Sequence, residues 1–175
     1  IWSDDGWVLG PFKHNMSFLN TENVYMRWCK WGAGETRNQT KLGRSYDWCE
    51  AIFLISGEIR VKYQADSVLL INEGDYAIYD SVRHPKYQVL RDSVAIVLRW
   101  KSNFEGKLYS NVENHLDGHR QWVIGPFVDK NEHFYSENFE LKWGLKTKTP
   151  YKNPAKVDEP ITNYRWKTMG VLCRG

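Results

Sequence analysis

Glu50 stands in an apolar run, Trp48-Cys49-Glu50-Ala51-Ile52-Phe53-Leu54-Ile55. Strand alternation puts it on one face with Trp48, Ile52 and Leu54, and puts Cys49, Ala51, Phe53 and Ile55 on the other. A carboxylate in that company is expensive to bury unless something pairs with its charge. The candidates are an arginine such as Arg27 or Arg99, the imidazole of His84, or a metal ion. Glu50 therefore reads as half of an internal ion pair, as a group that touches a ligand, or as a metal ligand. Arg99 carries a planar guanidinium that matches carboxylate and phosphate. It either faces an anionic ligand or pairs with Glu50. His84 follows a charged turn and precedes Pro85, which places it at a strand start, lining a pocket or on the surface. His14, His115, His119 and His133 read as solvated, and Asp117-Gly118 breaks the helical spacing of His115 and His119. Cys29, Cys49 and Cys173 are odd in number and match no zinc pattern, so they read as buried thiols of a reducing compartment.

These side chains have to be positioned by strands. Nine tryptophans, ten tyrosines and seven phenylalanines favour β structure. Val24, Met26 and Trp28 alternate with Tyr25, Arg27 and Cys29, and Ile59, Val61 and Tyr63 alternate with Glu58, Arg60, Lys62 and Gln64. Further strands are expected over 48–55, 67–72, 76–79, 86–90 and 93–101. Ser56-Gly57 and Glu73-Gly74-Asp75 are the tightest turn signals between them. No stretch carries a capped helical period. Many short strands imply a sandwich or barrel. Trp28, Trp48, Tyr79 and Trp100 fall on these strands, either as core or as rings on which a sugar could stack.

The chain of 175 residues also contains a repeat. Trp7-Val8-Leu9-Gly10-Pro11-Phe12 recurs as Trp122-Val123-Ile124-Gly125-Pro126-Phe127, an offset of 115 that also carries Trp28 onto Trp143 and Asn38 onto Asn153. Past a short insertion the offset becomes 118, pairing Trp48 with Trp166 and Gly57 with Gly175. Residues 1–120 thus form one complete unit, and 121–175 form about the first half of another.

The stretch Glu50 to Gly57 resembles the end of the first sequence motif of the cupins, a Glu followed later by a Gly. Gly74-Asp75-Tyr76-Ala77-Ile78-Tyr79, with His84 and Gln88 beyond it, resembles the second motif. The resemblance covers residues 20–101 and is nearest to small cupins of cyanobacterial type. It implies an all-β jelly-roll barrel, with an additional partial cupin repeat at 121–175. In metal-binding cupins two histidines and the Glu of the first motif join the His of the second. Carried over, the Glu is Glu50 and the last His is His84. The two histidine positions fall near Arg44 and Tyr46, so the metal set is degenerate.

Charges of both signs are spread along the chain, with 24 Lys and Arg against 21 Asp and Glu, which gives no nucleic-acid surface. No apolar run approaches the roughly 18 residues that would span a bilayer. A cytoplasmic protein with neither nucleic-acid nor membrane partner is expected. Phosphate-loop, dinucleotide and GxSxG signatures are absent, and no Ser–Lys dyad is spaced for a peptidase. The leading expectation is a small polar ligand, a sugar or organic acid, held by Glu50, His84, Trp48, Tyr46, Arg99 and Gln88. A second is a metal-dependent dioxygenase or isomerase using Tyr46, Glu50 and His84, with Fe, Mn, Ni or Zn held through Glu50 and His84. A third is an assembly module with a filled barrel. The half repeat has strand edges to cover, so it is expected to extend the first barrel or to pair in a homodimer, unless the chain is part of a longer two-cupin protein.

Overall fold

A computed structural model describes residues 6–11, 19–38, 48–80, 85–101, 108–110, 121–124, 136 and 141–143. The described residues form ten strands and no helix. The strands are β1 (Trp7–Leu9), β2 (Val24–Trp31), β3 (Thr36–Asn38), β4 (Trp48–Tyr63), β5 (Asp66–Leu70), β6 (Tyr76–Asp80), β7 (Lys86–Lys101), β8 (Tyr109–Ser110), β9 (Gln121–Ile124) and β10 (Leu141–Trp143). Every pairing is antiparallel. One eight-stranded sheet runs β1-β2-β7-β4-β6-β8, with β3 on β7 and β5 on β4.

Two strands of 16 residues organise this sheet. The sequence expects each to be a pair of shorter strands, broken at Ser56-Gly57 and near Arg91-Asp92. Instead β4 and β7 run on through both places, paired with each other along their length. The turn signals mark a bend and not a reversal. Register shifts between Leu54 and Ile59 form bulges, which bend and twist a strand without ending it. Gly57 takes φ +103°, and Asp92 and Ser93 pack so closely on its Cα that no side chain fits there. Glu73-Gly74-Asp75 is a true turn. The buried Asp75 carboxylate accepts from the backbone N–H groups of Ile71 and Asn72 at 2.9 and 2.8 Å.

The bend folds the sheet into two arms. One contains β1, β2, the second half of β7, the first half of β4, β6 and β8, and the other contains β3, the first half of β7, the second half of β4 and β5. Ile52, Leu54, Ala95 and Val97 of the first arm meet Ile59, Val61, Leu70 and Val89 of the second in an inner core. Alternate residues of the first arm, among them Phe53, Ile78, Leu98 and Trp100, form a second core on its outer face. Both faces of β4 are buried, so its first half reads as a nearly unbroken apolar run. β9 and β10 pair in a separate two-stranded sheet. The rest of the half repeat, including 164–172 where the sequence suggests a further strand, lies outside the described residues.

Candidate functional site

Four residues stand in one row across four strands of the first arm. Tyr25 of β2 is opposite Arg99 of β7, Arg99 is opposite Glu50 of β4, and Glu50 is opposite Tyr79 of β6. All four side chains face the inner core because strand parity fixes them there. Register alone brings a carboxylate and a guanidinium side by side.

Glu50 is fully buried, and both of its oxygens are occupied. Oε2 accepts from Arg99 Nε in an ion pair. Oε1 accepts from the Tyr79 hydroxyl at 2.6 Å and from the Tyr87 hydroxyl at 2.5 Å. The two hydroxyls also lie within hydrogen-bond reach of each other. Tyr87 arrives from the opposite arm, so the carboxylate ties the two arms together. Stacking holds both phenols in place, with Trp31 5.3 Å from the Tyr87 ring and Tyr63 5.8 Å from the Tyr79 ring. Burial, and then the Glu50 charge, push both phenols well above the ordinary tyrosine range. Burial works against the Arg99 charge, but the attraction and hydrogen bond of Glu50 outweigh it and hold the guanidinium more firmly protonated.

Towards solvent the row opens onto a wall of aromatic rings and cations. Arg27 and Arg99 both lie against the Trp7 ring, at 5.7 and 5.6 Å from its centroid. Trp7 meets Tyr25 edge to face at 6.2 Å, Tyr25 lies 4.7 Å from Trp48, and the Lys101 ammonium lies 5.9 Å above Trp48. Trp7, Tyr25, Arg27 and Trp48 are half-buried and Lys101 is exposed. Gly6 sets Trp7 in place. Its carbonyl accepts from Trp28 N–H at 2.8 Å, and a Cβ at Gly6 would run into the Trp28 carbonyl.

Of the residues expected in a site, the structure brings Glu50 and Arg99 together and places Trp48 in the adjacent wall. Gln88 lies on the other face of β7, where its amide oxygen accepts from Arg60 Nη1 at 3.4 Å. His84 and Tyr46 lie outside the described residues. Tyr87 is a site residue that the sequence reading passed over in favour of Gln88. The alternation of Tyr87 and Val89 with Lys86 and Gln88 carried the signal.

The described residues do not fit a divalent metal ion. A cation beside Glu50 would have to displace Arg99 or two phenol donors and sit against a guanidinium. No group of three metal-ligating side chains occurs among the described residues.

No protein-family profile and no curated protein matches this chain. Among solved structures it is similar to an ethanolamine utilization protein Q from Salmonella typhimurium, at 11% identity and a TM-score of 0.38, over 46% of this chain and 59% of that one. KdgF from Halomonas sp. gives 16% identity and 0.40 over 46% and 72% of the two chains. An RmlC-like cupin protein from Desulfovibrio desulfuricans gives 13% and 0.38 over 46% and 74%. The chain thus spans 59% of the first of these proteins and about three quarters of the other two. These likenesses concern the fold alone: the described residues are all-β and antiparallel, and the proteins they are similar to include cupins.

Proposed function

We propose that this chain binds a small organic acid, a sugar acid being the best-fitting class, at the solvent end of the Tyr25–Arg99–Glu50–Tyr79 row. One observation carries the reading: half-buried Trp7, Tyr25 and Trp48 interleave with Arg27 and Lys101 beside a guanidinium already neutralised by Glu50. Flat rings suit the faces of a sugar and cations suit its carboxylate. Glu50, fully buried, serves to fix Arg99 and not to touch the ligand. The role is binding, and no bond-making step is derived.

Calorimetry with a hexuronate and the matching neutral hexose tests this. The hexuronate should bind and the hexose should bind at least about tenfold more weakly, the worth of one charge-assisted contact. Trp48→Ala should weaken the hexuronate by a similar factor. Equal affinity for acid and hexose, or no binding of either, overturns the reading.

A second reading has its own support. Trp31, Tyr63, Tyr79 and Tyr87 fill the interior between the arms, as a module that works through its surfaces would allow. Absence of binding across a panel of acids would favour it.

A further inference from the structure

The outer face of the first arm is apolar across its breadth. Met26 on β2, Cys49, Ala51 and Phe53 on β4, and Leu98 and Trp100 on β7 all lie in the outer core. A sheet face turned to water carries mainly polar side chains, so this apolar face is built to be covered. Val8 and Leu9 cover part of it, and so does Leu141 of β10, from the second copy.

The place of Leu141 in the repeat is informative. The offset of 115 maps Leu141 onto Met26, which belongs to the same core. The pairing of β9 with β10 also repeats that of β1 with β2. Trp7 opposite Arg27 becomes Trp122 opposite Lys142, and Leu9 opposite Met26 becomes Ile124 opposite Leu141. A register shift falls between the two pairs in both hairpins. Equivalent residues of two copies meeting in one core is the mark of an isologous interface, in which like faces pack on each other.

We propose that the two copies pack back to back through their β1–β2-type hairpins, so that the second copy acts as an in-chain partner covering the outer face of the first. This is face packing, as distinct from the addition of a strand to a sheet edge. It does not depend on the ligand reading, because the outer core lies on the opposite side of the sheet from Glu50.

Two thiols test it in the whole chain. Cys49 lies in the outer core and Cys29 in the inner core, and both are buried. In a Cys173→Ser background, each is followed by its labelling rate with a thiol reagent, read by peptide mass. Leu141→Asp should raise the Cys49 rate about tenfold or more and leave Cys29 within about twofold. The milder Leu141→Ala should raise Cys49 less, again with Cys29 unmoved. An unchanged Cys49 rate in both variants, or Cys49 and Cys29 rising together in Leu141→Ala, overturns the proposal.

Discussion

Glu50 lies directly opposite Arg99 on the two central strands, yet the partners differ in their access to water: the carboxylate is 0% exposed and the guanidinium side chain 12%. That asymmetry sets the cost of removing either one. Arg99→Met leaves a fully buried carboxylate without the guanidinium that balances its charge, which should cost roughly 3–5 kcal/mol. Glu50→Gln keeps an acceptor for the phenols and leaves a guanidinium beside the rim, where water and Trp7 are near. It should cost about 1–3 kcal/mol. Urea denaturation of the two variants checks the order, and an equal or reversed cost would show that the pair is more hydrated than its burial indicates.

Tyr87 donates to Glu50 from the other arm. Tyr87→Phe removes a hydroxyl without opening a cavity and should cost about 1–3 kcal/mol, the range for leaving a buried acceptor short of a partner. Tyr79→Phe should cost a similar amount. The double variant should depart from the sum by at least about 0.5 kcal/mol, because both hydroxyls serve one oxygen. Strict additivity in the cycle would mean that the two hydrogen bonds act independently.

How much of this could be read in the sequence follows from what strand period encodes. Parity in 48–55 placed Glu50 with Trp48, Ile52 and Leu54, and the structure keeps that face. The choice among its partners was open, because parity gives a face and not a neighbour. Only the register of β4 on β7 selects Arg99 and leaves Arg27, one row away, against Trp7. For Tyr87 too, alternation over 86–89 gives the face but not the partner, since it reaches Glu50 across the fold from a strand half that shares no row with it. Gly57 was legible as a special position, but a glycine at positive φ serves a bulge as well as a turn. The surrounding residues do not say which.

Alkaline pH should weaken the fold, and the sign is fixed by three groups. Burial, and the Glu50 charge after it, raise Tyr79 and Tyr87 above their ordinary 10.0, and burial pushes the Cys29 thiol from 9.0 up to about 12. In the unfolded chain all three release protons at their ordinary values while the folded chain still holds them. The unfolded state then binds fewer protons, so stability falls as pH rises. It should be complete below about pH 9 and decline above, each group adding a slope of up to about 1.4 kcal/mol per pH unit. Urea midpoints across that interval measure the decline. A Tyr87→Phe protein should show a shallower slope, and a flat profile for the parent would rule out proton retention by these groups.

Gly57 and Gly34 form a matched pair that separates two costs. Both have positive φ, +103° and +85°, so an alanine at either meets the left-handed backbone penalty of about 1–2 kcal/mol. Around Gly34 no atom lies within 4 Å of an added Cβ, so Gly34→Ala should cost that penalty and little more. At Gly57 the added carbon would also press on the Ser93 side chain and come within 2.5 Å of the Asp92 carbonyl oxygen. That contact is closer than packed atoms allow, and Ser93 is held by the bend itself. Its hydroxyl donates to the Arg91 carbonyl at 2.5 Å and accepts from Glu58 N–H at 3.0 Å. Neither strand can give way without opening the ladder between β4 and β7, which joins the arms and sets the Glu50–Arg99 register. Gly57→Ala should therefore exceed Gly34→Ala by at least about 1–2 kcal/mol, measured as the difference in urea unfolding free energy. Equal costs at the two sites would mean that the bend has slack, and that the long strands are not held together where they turn.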